Sequence, residues 1–175
     1  RKIADGSDGL MFLPYLAGER TPINDPFASG LMIGLKVSHT RAHMYKAALE
    51  GIAYTIDQNI EILEENNLPV QKIMAVGGGT KNQEWLQIIA NVTGKPIHTS
   101  KISIGASYGD ALMASLQAGF FNSWKEIEGV IQPEYTFMPD KKANTYYEKH
   151  KDIFKKLYEL NKESMHKLRR MENGK

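Results

Sequence analysis

Three consecutive glycines, Gly77-Gly78-Gly79, with Thr80, Asn82 and Gln83 just beyond them, are the residues whose types and spacing best suit chemistry in this chain. A glycine has no Cβ, so a ligand can press against the main chain there. At the start of a helix, free N–H groups and the helix dipole favour an anionic partner. Thr80-x-x-Gln83 has the form of a capping box, which makes Thr80 the expected cap and leaves Asn82 in the first turn with its amide free. The spacing is not G-x-G-x-x-G, and no Gly-Lys-Ser/Thr follows, so neither the dinucleotide fingerprint nor a P-loop is present. Taken alone, the glycines fit a ligand-binding turn or only a tight turn, and spacing does not decide between them.

Other residues with chemical potential have plainer explanations. His39 and His43 stand four apart, which is metal-like spacing, but no carboxylate motif accompanies them and no metal site is expected. Glu19 and Arg20 lie in a loop set by Pro22 and Pro26, where they either face a cleft or hold the loop through neighbouring groups. Asp110 is the single charge in a small-residue stretch and reads as a buried, hydrogen-bonded packing residue.

The elements that must position the glycine turn follow from periodicity. Ile73-Met74-Ala75-Val76 reads as a buried strand, and Trp85, Ile88, Ile89 and Val92 recur at helical spacing until Gly94 and Pro96 close the helix. Upstream, residues 9–16 read as a strand that Pro14 confines to an edge or an end, and residues 30–35 as a second small strand. A long helix is expected from about Thr40 to Glu65. Met44, Ala48, Ile52, Ile56, Ile60 and Leu63 form its expected buried stripe, and Asp57, Glu61, Glu64 and Glu65 its wet side. After a short strand at 96–99, residues 103–114 form a thin helix suited to lying tightly on a sheet. Residues 120–139 read as a loop with one short helix. A final helix is expected to begin near Thr145 and run to about Met171, with Ile153, Leu157, Leu160, Leu168 and Met171 as its apolar stripe and Phe154, Tyr158 and Met165 beside it. Strands alternating with helices argue an α/β fold with a mixed sheet flanked by helices, and its low strand count suggests that the first strands lie upstream.

Composition narrows the class. The chain has 175 residues with 42% apolar content, enough for a core, and no cysteine, which suits a reducing cytoplasm and excludes a disulfide scaffold. No apolar run reaches membrane length and no signal peptide opens the chain, so no membrane partner is expected. Net charge is only +2, and the basic surplus sits in residues 140–175, with 11 Lys/Arg against 6 Asp/Glu. That pattern describes a solvated helix face, so no nucleic acid partner is expected. Arg1 to Ser7 read as the tail of something earlier, as in a fragment of a longer protein.

The stretch from Gly30 to Glu50 adds a resemblance. Gly30-x-x-x-Gly34-Leu35, then His43-Met44-x-x-Ala47-Ala48-Leu49-Glu50, resembles the second signature of the FGGY carbohydrate kinases, which include xylulokinase and glycerol kinase. The likeness runs in register through Leu13-Pro14-Tyr15-Leu16-x-Gly18-Glu19-Arg20-Thr21-Pro22, which is similar to a loop of the xylulokinase-like members. It continues through Gly77-Gly78-Gly79-x-x-Asn82-x-x-Trp85-x-Gln87, similar to the adenosine-binding turn, and through Gly105-Ala106-Ser107-Tyr108-Gly109-Asp110-Ala111. One departure is Ala90-Asn91, where many members have Ala-Asp, which removes a charge beside the turn.

The resemblance implies a ribonuclease H-like fold of the actin/hexokinase ATPase type. In it, residues 1–175 form the C-terminal nucleotide-binding domain in part, without its opening strands. It implies ATP and Mg2+ as cofactors and a sugar or polyol as substrate, with a xylulose-like ketose favoured. Gly77, Gly78, Gly79 and Asn82 would bind the nucleotide. The catalytic aspartate of the family belongs to the first domain, so no catalytic residue is expected here and the chain alone should be inactive. An exposed sheet edge in such a half-enzyme implies association into a homodimer. Two rivals stand beside this reading: a stand-alone adenine-nucleotide binding module, and a non-catalytic actin-like structural domain.

Overall fold

The computed structural model describes residues 3–102 and 105–172. Ser103 and Ile104, placed by the sequence at the head of the thin helix, lie outside the described residues. Strands β1 (Met11–Leu13) and β2 (Leu31–Ile33) pair antiparallel, Met11 opposite Ile33 and Leu13 opposite Leu31. Pro14 ends β1, as its missing N–H requires. A second sheet holds β3 (Ile73–Ala75), β4 (Ile97–Ser100) and β5 (Pro133–Phe137) in the order β3-β4-β5. Strands β3 and β4 run parallel, joined by helix α2 (Gln83–Thr93), while β5 returns antiparallel to β4.

The buried strand is β4, not β3. Lying at the edge, β3 pairs along one margin only among the described residues, and Met74 and Val76 are exposed. Residues 133–137, expected in a loop, form strand β5 instead. Pro133 opens β5, where a lost donor is harmless, and the following Tyr135, Thr136 and Phe137 favour extended backbone.

Helix α1 spans Arg41–Glu65, close to its expected bounds, but its buried face differs from the expected stripe. Ile60 is buried as expected, but Met44 and Leu63 are exposed, whereas Ala47, Glu50, Ala53, Tyr54 and Asp57 are buried. Apolar count alone misjudged the polar members, which are buried because partners await them. Asp57 meets the Lys151 ammonium at 2.8 Å. Glu50 accepts from Gly6 N–H at 2.8 Å, from Ser7 Oγ at 2.7 Å and from Tyr147 Oη at 2.7 Å. Beside it, Lys46 Nζ donates to Ile3 O and to Asp5 Oδ1, both at 3.0 Å. A buried carboxylate is tolerable only when its lone pairs are matched in this way.

Helix α3 (Ala106–Gln117) keeps its predicted place but has no buried residue among those described, and Asp110 is exposed. The expected tight packing and the buried role for Asp110 are therefore corrected. Helix α4 spans Trp124–Val130. Helix α5 runs from Lys141 to Glu172, starting a turn earlier than expected. Asp140, not Thr145, caps it: Asp140 Oδ1 accepts from Ala143 N–H at 2.8 Å, and Thr145 Oγ1 instead donates to Lys141 O.

Of the stripe expected on α5, only Leu157 is buried. Tyr147, Phe154, Tyr158 and Met165 form its inner face, and Ile153, Leu160, Leu168 and Met171 are exposed. The side was decided by aromatics with partners. Tyr54 stacks on Phe154 at 4.9 Å, and Tyr15 meets Tyr158 edge-on at 5.9 Å. Leu13, Leu86, Ile89, Val92 and Ile97 complete the core between α1, α2, α5 and the strands. No helix among the described residues is long and apolar enough to cross a membrane.

Candidate functional site

The glycine turn is built by local chemistry on both sides. After β3 the chain enters a 3-10 turn at Gly78–Lys81 and then α2. Gly77 has φ 85° and ψ −167°, a conformation open essentially to glycine alone. Its carbonyl is turned inward, accepting from Thr80 N–H at 3.2 Å and Thr80 Oγ1 at 2.7 Å. Gly79 is needed for packing: a Cβ there would stand 2.7 Å from the Trp85 ring. Gly78 is different. A Cβ on it would meet nothing within 4 Å, so the space before it is open. Among the described residues no partner takes the N–H of Gly78 or Gly79, which leaves both for a ligand.

Asn82 is where the sequence reading needs correction. It is the cap of α2, its Oδ1 accepting from Trp85 N–H at 3.1 Å, and Thr80 belongs to the preceding turn. The expected capping box fails because the 3-10 turn delays the helix by two residues. Asn82 Nδ2 also donates to Tyr45 Oη at 3.2 Å, so its amide is engaged at both ends. Tyr45, from the second turn of α1, is the residue that sequence spacing did not bring forward; nothing in the helical pattern marks an exposed tyrosine as a neighbour of the turn. All four predicted residues, Gly77, Gly78, Gly79 and Asn82, thus share one surface.

Behind the turn, Asn91 answers for the Ala-Asn departure. Its Oδ1 accepts from Gln87 Nε2 at 2.8 Å and from Asp140 N–H at 2.9 Å, and its carbonyl accepts from Asn144 Nδ2 at 2.9 Å. The carbonyl oxygen of the amide supplies the acceptor that joins α2 to the start of α5, so the fold does not need a charge there.

The remaining candidates are structural. His43 Nδ1 accepts from Thr40 N–H at 3.1 Å, which puts its proton on Nε2, 3.1 Å from Asp8 Oδ2. His39 Nδ1 accepts from Lys36 N–H at 3.0 Å. His43 therefore serves the start of α1, and His39 closes the turn before it. Glu19 Oε1 accepts from Arg20 N–H at 2.9 Å and Thr21 N–H at 3.3 Å, holding its loop, which contains a cis Thr21–Pro22 bond. That loop is tied to α5 by Asp25. Burial alone would push its carboxyl up, but hydrogen bonds from His166, Tyr158 and Phe27 N–H hold it at about 2.

The chain is 37% identical over 155 residues to the xylulose kinase of Staphylococcus xylosus, a match covering 88% of this chain and 32% of that protein. It is 33% identical over 154 residues to the xylulose kinase of Bacillus subtilis, covering 87% and 31%. Among solved structures, ligand-bound xylulose kinase from Lactobacillus acidophilus superposes with TM-score 0.86 at 30% identity, over 94% of this chain and 34% of that one. The gluconate kinase of the same organism superposes with TM-score 0.85 at 30% identity, over the same shares of the two chains. The chain therefore spans about a third of the length of these relatives. Its fold is the mixed α/β fold of the actin/hexokinase-like ATPases that these kinases share. Residues 3–118 match the C-terminal domain of the FGGY family of carbohydrate kinases, and the chain belongs to that family.

Proposed function

We propose that residues 1–175 form the nucleotide-binding C-terminal domain of an ATP-dependent kinase that phosphorylates a sugar or polyol hydroxyl, a xylulose-like ketose being favoured. The observation that carries this reading is the open turn: two N–H groups without partners among the described residues, space in front of Gly78, and a capping asparagine, in a member of this family. The adenosine of ATP would lie against Gly77, Gly78 and Gly79 beside Asn82. ATP brings the transferable phosphoryl group, and Mg2+ neutralises the charge on its phosphates.

Mg2+ enters this reading as its complex with the triphosphate; among the described residues no group of three or more His, Cys, Asp or Glu gathers to hold a metal. This chain's own part is to bind and orient. The glycines let the nucleoside approach the main chain, and the two amide protons of Gly78 and Gly79 fix it by hydrogen bonds. The dipole of α2 favours the negative end of the ligand. The base that takes the hydroxyl proton is assigned to another part of the enzyme, in keeping with catalysis that works mainly by positioning. A cytoplasmic location and a homodimer complete the reading. The absence of cysteine supports the first, and the exposed apolar residues of α5 support the second, which sedimentation would read.

Steady-state kinetics of the intact kinase with xylulose and a panel of other ketoses and polyols tests the proposal. Gly78→Val should raise the KM for ATP and leave the KM for sugar unchanged. A raised sugar KM with an unmoved ATP KM would mean that the turn serves the other substrate.

A further inference from the structure

We propose that Tyr45 is a positioning residue of the nucleotide site, its hydroxyl fixing which N–H of Asn82 is left for the ligand. This rests on the nucleotide reading above and adds a residue to it from a different element. A side-chain amide has one acceptor oxygen and two N–H donors. In Asn82 the oxygen is taken by Trp85 N–H at 3.1 Å, and one donor is taken by Tyr45 Oη at 3.2 Å. The two contacts grip opposite ends of the amide, so they set its plane and settle which end is oxygen. One N–H is left over.

With only the capping contact, the NH2 end would swing about the fixed oxygen. Tyr45 removes that freedom before the ligand arrives, which is how preorganisation strengthens binding. Tyr45 is 59% exposed, so its hydroxyl is not required to fill or satisfy a core. The chemical consequence is specific. Asn82 presents its one remaining N–H to the nucleoside in a fixed direction, so that contact is made with an acceptor, a ring nitrogen or a ribose oxygen.

The test is Tyr45→Phe in the intact kinase, which deletes the hydroxyl and keeps the ring. The KM for ATP at saturating sugar should rise about two- to ten-fold. Turnover and the KM for sugar should hold, and the melting temperature should stay within about 1 °C. Because Tyr45 acts through Asn82, Tyr45→Phe should add no further rise when Asn82 is already alanine. An equal rise in that background would overturn the proposal. If Gly78→Val raises the ATP KM and Tyr45→Phe does not, the nucleotide reading stands and the role of Tyr45 falls. If neither substitution moves it, both fall.

Discussion

Tyr158 of α5 donates its hydroxyl to Asp25 Oδ2 at 2.7 Å, and His166 Nε2 approaches the same oxygen at 2.6 Å. One carboxylate thereby fastens the 17–30 loop to the terminal helix. With the folded carboxyl at about 2, against 3.8 ordinarily, its stabilisation is complete above pH 4 and is lost as pH falls toward 2. Asp25→Asn should lower stability by about 1–2 kcal/mol at pH 7, and urea titrations should show the gap between variant and parent closing in acid. A gap that persists unchanged at pH 2 would refute the assignment.

Glu50 is held from three directions, and Tyr147 is the donor on α5. Burial and the neighbouring Glu50 raise the Tyr147 hydroxyl, so it stays a proton donor across the working range. Tyr147→Phe should cost about 1.5–3 kcal/mol, the usual worth of a hydrogen bond to a charged group. The loss is to be read by denaturant midpoint at unchanged slope.

Asn82 separates two duties. Asn82→Ala removes both the cap and the donor, so stability should fall by about 1 kcal/mol and the ATP KM should rise. Asn82→Asp keeps an oxygen to cap α2 and removes the donor. It should therefore hold the melting temperature while raising the ATP KM by about 2- to 12-fold or more. An ATP constant in Asn82→Asp equal to that of the parent enzyme would show that the amide protons are not used.

The adjacent glycines should behave oppositely. Gly78→Ala should leave stability within about 0.5 kcal/mol, since its Cβ meets nothing, yet weaken ATP binding by standing where the ligand lies. Gly79→Ala should destabilise by about 1–3 kcal/mol, because its Cβ would enter the Trp85 ring space. Thermal melts with and without ATP distinguish the two.

Local signals were legible where local physics decides. The proline ending β1, the glycine turn, the bounds of α1 and the end of α2 at Gly94 were readable from turn chemistry and period. What failed depended on partners distant in sequence. Asp57 looks like a surface acid until Lys151 is brought to it by α5. Tyr147 and Phe154 outrank Ile153 and Leu160 because Glu50 and Tyr54 wait on the facing helix. Strand β5 was unreadable because it exists by pairing with β4. At the turn, the break of β3 at the glycines was legible, but the capping role of Asn82 was not, since a 3-10 turn leaves no mark in a helical pattern.

Helix α1 touches the turn through Tyr45 and the 17–30 loop through Asn59, whose Nδ2 donates to Thr21 O at 3.4 Å. Fourteen residues of helix separate the two, about 21 Å at the helical rise. The helix therefore works as a ruler with a fixed phase. Deleting one residue between these points would shorten it by about 1.5 Å and rotate one end against the other by about 100°, so only one of the two contacts would survive. Point substitutions along that span can be absorbed; a change in its length cannot.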